Sequence, residues 1–159
     1  MRYYAQGAMK RRFELFGEQD ISLGVLNYPS WFSLQAEIIT PNARYKVIPT
    51  GFWRTSIAIF QNTTEIGRLY RQWNGQLTLA LENGPTYIFK RVGFFNAHFG
   101  LFNENDRELV IVRKHDQLSF FNLRYDIETD DNYFEVNHPF MLLLLIHGVG
   151  YFNRAHAMF

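Results

Sequence analysis

The sequence predicts a mainly β protein, a closed antiparallel barrel of about twelve strands around a buried hydrophobic C-terminal helix. Three observations predict it. Apolar and polar residues alternate through most of the chain, and seven consecutive apolar residues, 140–146, lie near the end. Positions also recur at a spacing of about 42 residues, a period typical of repeated units.

The alternation defines the strands. Ile57 and Ile59 alternate with Ser56 and Ala58, and Leu77, Leu79 and Leu81 alternate with Thr78, Ala80 and Glu82. Phe121, Leu123, Tyr125 and Ile127 are set against Asn122, Arg124, Asp126 and Glu128. Successive strand side chains point to opposite faces, so this pattern means one dry face and one wet face. Pro41-Asn42, Pro49-Thr50-Gly51, Asn83-Gly84-Pro85 and residues 103–106 punctuate the strands as turns, as does Asn27-Tyr28-Pro29-Ser30. Asn74-Gly75, between residues 69–73 and 76–81, predicts a hairpin.

The recurrence orders the strands. Tyr45 and Tyr87 stand one period apart, as do Gly51 and Gly93, Phe52 and Phe94, Trp53 and Phe95, Ile59 and Leu101, Phe60 and Phe102, and Arg71 and Arg113. Trp31 precedes Trp73 by the same interval and extends the pattern upstream. A fixed period of this length means one supersecondary unit used repeatedly. It divides one domain, residues 1–159, into three approximate repeats of about four strands each, 1–44, 45–86 and 87–129, followed by a helix over 138–152.

For the helix, Asn137 takes the N-cap position and Pro139 the first turn, where its missing N–H is no loss. Seven consecutive apolar residues cover every side of a helix, which must then be enclosed. Burying them contributes roughly 10–20 kcal/mol at about 1.5–3 kcal/mol each, as much as the net stability of a whole domain. The apolar run 140–152 has 13 residues and contains His147, whereas a bilayer span takes about 20, so protein encloses it. A barrel of about eight strands fills itself with side chains, and a wider one needs a plug about as thick as a helix. Gly148 and Gly150 each cost about 1 kcal/mol in a helix interior, and close backbone approach in a crowded lumen is the expected compensation.

Composition narrows the function. Hydrophobic residues make up 47% and aromatic residues 18%, which fits an ordered protein. The net charge of +1 argues against a nucleic-acid partner, which calls for a concentrated basic footprint. The absence of cysteine excludes disulfides, thiolate metal sites and S-acylation and fits a reducing compartment. The first ten residues hold no apolar stretch of signal-peptide length. The expected location is cytoplasmic or peripheral to a membrane, with no transmembrane segment.

The succession of short strands, residues 24–33 (Gly-Val-Leu-Asn-Tyr-Pro-Ser-Trp-Phe-Ser), residues 87–94 (Tyr-Ile-Phe-Lys-Arg-Val-Gly-Phe) and the final apolar stretch 141–146 together resemble the tubby C-terminal-like superfamily. That superfamily groups the tubby domain, the phospholipid scramblases and the LURP-one-related proteins. The resemblance spans nearly the whole chain and rests on pattern. It implies a twelve-stranded barrel around a central hydrophobic helix, membrane-phospholipid association and no enzyme activity. The cysteine cluster and trailing transmembrane segment of the scramblase pattern are absent here, so the resemblance does not extend to scrambling.

The basic clusters are Lys10-Arg11-Arg12, Lys90-Arg91 and Arg113-Lys114. Lys90, Arg91, Arg113 and Lys114 belong to the same repeat and are the candidate anion or phospholipid-headgroup residues; as solvated strand ends they would serve only solubility. Residues 126–135 are rich in carboxylates but hold Asp131 where a calcium loop needs Gly and no Glu at the twelfth position, so solvated carboxylates account for them. The histidines lack ligand spacing, and no metal or other cofactor is implied. His98 alternates with Ala97 and Phe99 and is expected to face water. His147, with Tyr151 on the same helix face, is expected to be a hydrogen-bonded neutral imidazole. No nucleophile elbow, P-loop or dinucleotide fingerprint occurs. The reading is a non-catalytic binding domain whose barrel exterior meets anionic phospholipid or a protein partner; the alternative is a carrier holding a small apolar ligand in the lumen.

Overall fold

A computed structural model describes residues 1–8, 11–29, 35–51, 55–95, 97–115 and 122–157. The strands are β1 (Arg2–Ala8), β2 (Arg12–Phe16), β3 (Ser22–Asn27), β4 (Ala36–Ile39), β5 (Arg44–Thr50), β6 (Ser56–Gln61), β7 (Thr64–Arg71), β8 (Leu77–Leu81), β9 (Thr86–Val92), β10 (His98–Phe102), β11 (Glu108–Lys114) and β12 (Asn122–Thr129), followed by helix α1 (Pro139–Ala157). Each strand pairs antiparallel with its sequence neighbours. β1 also pairs with β12, from Arg2 opposite Glu128 to Ala8 opposite Asn122, so all twelve strands close into a barrel. Closure leaves no free strand edge to recruit another chain.

The backbone repeats with the sequence. β1, β5 and β9 begin at Arg2, Arg44 and Thr86, one sequence period apart each time. The second strand of each group of four carries a register shift, at Leu15/Phe16, Ile59/Phe60 and Leu101/Phe102. Bulges of this kind bend a strand and increase its twist, which a curved wall needs. Gly51 and Gly93 end β5 and β9 with φ of +82° and +85°, in the left-handed region where glycine carries no Cβ penalty. Lys10, Trp31, Phe52, Trp53, Phe121 and residues 30–33, on which parts of the expected repeat, clusters and resemblance rest, lie outside the described residues.

Inside, the alternation delivers a continuous apolar lining. Ala5, Leu15, Leu26, Ile38, Val47, Ile59, Leu69, Leu79, Phe89, Leu101, Val112 and Ile127, one from each strand, are all buried. They surround α1, whose residues 141–146 and Val149 are buried on every side of the helix. The helix lies nearest β3 and β4. There Gly24 admits it closely, since a Cβ at Gly24 would stand 3.0 Å from Leu143 Cδ1 and 2.8 Å from the Ile39 carbonyl oxygen. Gly148 plays the same part toward β9: its Cβ would stand 3.0 Å from Phe89 Cε1 and 3.4 Å from Leu77 Cδ1. Gly150 differs from the expectation, because the nearest atom to a Cβ there is Tyr28 Oη at 3.8 Å, an ordinary contact.

The start of α1 also differs from the expected cap. Leu142 N–H donates to the His138 carbonyl at 3.2 Å, which makes His138 the capping residue. Asn137 instead closes a 3₁₀ turn over residues 134–137 and binds outward. Its amide donates to the carbonyls of Tyr133 (2.9 Å) and Asp130 (3.1 Å), while its Oδ1 accepts from Tyr3 Oη (3.2 Å) and from the Thr129 hydroxyl. A side chain occupied by four partners ties β1, β12 and the incoming helix together, which leaves it nothing to offer the first helical turn. At its far end α1 runs to Ala157, beyond the expected limit of 152.

Candidate functional site

Antiparallel connectivity sorts the connections into two sets. The lower end, where α1 starts, holds the connections after β2, β4, β6, β8 and β10 together with Met1 and residues 130–138. The upper end, where α1 finishes, holds those after β1, β3, β5, β7, β9 and β11.

The two ends carry opposite chemistry. The lower connections hold Glu18, Asp20, Glu82, Glu104, Asp106 and Asp131, with the Met1 amino group paired to Asp131 and Arg107 to Asp130 at 2.6 Å. Backbone N–H donation from Asn132 leads in holding the Asp130 carboxyl below its usual range, and Arg107 adds to it against the cost of burial. Among the described residues, the upper connections contain no Asp or Glu. They sit above three cations at strand ends: Arg71 of β7, Arg91 of β9 and Lys114 of β11. Each continues the inward-facing register of its strand, one step beyond the buried Leu69, Phe89 and Val112. They therefore border the mouth around the last turns of α1, where the helix carbonyls favour positive charge. Arg71 lies over the Tyr151 ring at 5.8 Å. Arg91 and Lys114 make no ion pair with the described residues.

The four expected headgroup residues thus fall into two pairs. Arg91 and Lys114 belong to the upper mouth. Lys90 and Arg113 belong to the outer wall, where Lys90 Nζ stands 4.6 Å from the Phe102 ring centroid and Arg113 faces Glu128 at 3.6 Å. One residue along a strand reverses the face, and this separates Lys90 from Arg91 and Arg113 from Lys114. They do not form one rim cluster.

The upper end also exposes aromatic side chains. Trp73, in the β7–β8 turn, is 98% exposed; Phe94 and Phe95, after β9, are 92% and 91% exposed. Since β8 and β9 are neighbours, these two hairpin tips flank one another. Reading clusters of like charge found Arg91 and Lys114 but missed Arg71, Trp73, Phe94 and Phe95. Sorting alternate connections to opposite ends would have found them, because the bias shows only after that sorting.

Two clefts in the outer wall are lined by described residues. One, about 450 Å³, lies beside β1, β12 and the Gly17–Asp20 turn. Several of its polar groups bind one another: Tyr4 Oη donates to Asp20 at 2.7 Å, Arg124 lies 4.2 Å over the Tyr4 ring, and Arg124 Nε donates to Asp126 at 3.1 Å. Burial works to raise the Asp126 carboxyl, but hydrogen bonds from His115 and Arg124 outweigh it and hold the group below its ordinary value. The hydrogen bond to Asp20 leads in raising Tyr4. The other cleft, about 510 Å³, lies along β7 and β8 and contains the Glu65–Arg68 pair. The carboxylates that meet cations inside these clefts are Asp126, held by Arg124, and Glu65, held by Arg68.

His98 faces outward as expected, yet it is mostly covered, because its Nε2 lies 2.8 Å from Glu108 on the adjacent strand. In the buried interior, His147 Nδ1 and Tyr28 Oη share a 2.7 Å hydrogen bond, with Tyr28 supplied from just past β3. Tyr87 is buried against the lower part of the core, and burial pushes its hydroxyl up to about 12. The Glu135 carboxylate adds to that rise, although the hydroxyl makes no hydrogen bond of ordinary geometry. Among the described residues, no group of three His, Asp or Glu is placed to hold a metal, and no helix is long and apolar enough to cross a membrane.

No protein-family model, no curated protein and no solved structure matches the chain.

Proposed function

We propose that this barrel is a non-catalytic binding module for anionic membrane phospholipid, and that it belongs with the tubby-like proteins its sequence resembles. The observation that carries the reading is the segregation of charge between the two ends. Arg71, Arg91 and Lys114 border one mouth, while carboxylates populate the connections of the other. A basic face of this kind attracts an anionic leaflet by about 1 kcal/mol per cation near the surface. Three cations then favour anionic over neutral vesicles by roughly a hundredfold. The Asp126–Arg124 and Glu65–Arg68 pairs in the wall clefts are engaged with one another, which favours a non-catalytic role. The enclosed helix weighs against the carrier alternative, since α1 occupies the axis and touches the lining closely at Gly24 and Gly148.

Co-sedimentation with phosphatidylcholine vesicles, with and without phosphatidylserine, tests the reading. Pelleting that requires the anionic lipid, weakens with salt and weakens further in Arg91→Glu/Lys114→Glu supports it. Equal recovery in the supernatant with both vesicle types refutes it.

A further inference from the structure

We infer that the protein meets the membrane end-on, with Trp73, Phe94 and Phe95 entering the interfacial layer ahead of the cations Arg71, Arg91 and Lys114. The inference rests on the lipid-binding reading and adds which surface docks and how.

None of the three rings serves the core, given their exposure of 98%, 92% and 91%. The β7–β8 turn holds its shape without its ring. In the β7–β8 turn, Gln72 N–H donates to the Gln76 carbonyl at 2.8 Å, Gly75 N–H to the Gln72 carbonyl at 3.0 Å, and Gln76 N–H to Asn74 Oδ1 at 3.1 Å. After β9, Gly93 turns the chain at φ +85°, and the Phe94 and Phe95 rings stand 6.3 Å apart, facing one another rather than the barrel. Turns that present large apolar rings to water keep the wetted state unfavourable. Tryptophan and phenylalanine at a tip beside cations suit the headgroup layer, which takes up rings while its phosphates meet the charges.

Charge decides the occupant and the direction. Exposed apolar residues also occur at the lower end, Ile21 and Phe134 among them, but there they stand beside Glu18, Asp20 and Glu135, which an anionic surface repels. The lower end also sets a cation against a ring, Arg107 at 5.2 Å from Tyr133, but Arg107 is paired with Asp130, whereas Arg91 and Lys114 at the upper end make no ion pair with the described residues. Docking on the tips of adjacent hairpins sets the strands steeply to the membrane and brings the finishing turns of α1 toward it.

The test compares the wild type, Trp73→Ala/Phe94→Ala/Phe95→Ala and Phe134→Ala for binding to phosphatidylcholine vesicles containing phosphatidylserine. Far-UV circular dichroism and Tm should match in all three, because the altered rings are exposed. The triple variant should bind about fiftyfold or more weakly, Phe134→Ala should bind as the wild type does, and Trp73→Phe/Phe94→Leu/Phe95→Leu should restore most of the affinity. Should the triple variant melt early, Phe94→Ala and Phe95→Ala singly carry the same comparison. Wild-type binding that survives loss of the rings overturns the end-on inference and leaves the lipid reading standing. A wild type that ignores anionic vesicles overturns that reading itself. Loss of self-association, with lipid binding unchanged, assigns the rings to a contact between copies and likewise overturns the inference.

Discussion

Gly148 and Gly150 lie two residues apart in α1, and the enclosed helix requires them to respond oppositely to substitution. Replacing glycine by alanine inside a helix stabilises it by about 0.5–1 kcal/mol, through lower unfolded-state entropy and better propensity. At Gly150 nothing opposes that gain, since the nearest atom to the new Cβ is 3.8 Å away. Gly150→Ala is therefore expected to stabilise by about 0.5–1 kcal/mol. At Gly148 the same Cβ meets Phe89 Cε1 at 3.0 Å, Phe89 Cδ1 at 3.1 Å and Leu77 Cδ1 at 3.4 Å. The Phe89 ring is itself packed, 5.9 Å from Phe99 and 5.7 Å from Phe152 between centroids, so it has little room to retreat. Gly148→Ala should therefore fall below Gly150→Ala, and Gly148→Leu should cost about 1–3 kcal/mol or more through overpacking. Urea unfolding followed by far-UV circular dichroism reads both effects as midpoint shifts at a constant slope. With a slope of roughly 1–3 kcal/mol per molar, the Leu variant should lose about 1 M in midpoint and Gly150→Ala should gain a few tenths. Equal responses at the two positions, or a Gly148→Leu protein as stable as the wild type, would refute the placement of this helix face against β9.

Two further outcomes follow from the half-buried Asn137 and the buried Tyr87. Asn137→Ala should cost about 2–3 kcal/mol in the same urea assay, because it leaves four partners at the helix approach unanswered. A loss under about 0.5 kcal/mol would show that water replaces them freely. Tyr87 has its folded pKa raised to about 12, above the ordinary 10.0 that it recovers on unfolding, so its contribution is fully present below pH 10 and is lost as pH climbs toward 12. Tyr87→Phe should flatten the decline of stability between pH 10 and 12 while changing stability at pH 7 little; an unchanged alkaline slope would count against the burial of that hydroxyl.

Barrel and helix were legible because both rest on periodicities that burial enforces. Leu77, Leu79 and Leu123, Tyr125, Ile127 could alternate as they do only with one dry face, and residues 140–146 could not be left wet on any side. Asn137 misled because its position suits a cap, whereas its Oδ1, the atom a cap would use, accepts from Thr129 and from Tyr3, 134 residues away in sequence. Partners distant in sequence leave no mark on a short motif. The same holds for Tyr28, which reaches His147 across 119 residues of chain. At the candidate site, adjacency in sequence suggested one cluster from Lys90-Arg91 and Arg113-Lys114, and the pleat divided it, sending one member of each pair to the wall and the other to the mouth. The aromatic tips stayed hidden because an exposed Trp or Phe in a β-rich sequence looks like one more core residue until the turn containing it is placed.

The centre of this molecule is synthesised after the wall that encloses it. α1 follows all twelve strands, and the seam that shuts the wall joins Arg2 to Glu128 across almost the whole preceding chain. A finished cylinder offers no route for a threaded rod, so the β1–β12 seam must remain unzipped until the helix has condensed against strands such as β3 and β4. Contacts between such remote segments carry a large loop-closure penalty and make for slow folding. During translation the apolar lining therefore waits for its filling, and a nascent chain stalled before Pro139 exposes apolar surface prone to aggregation.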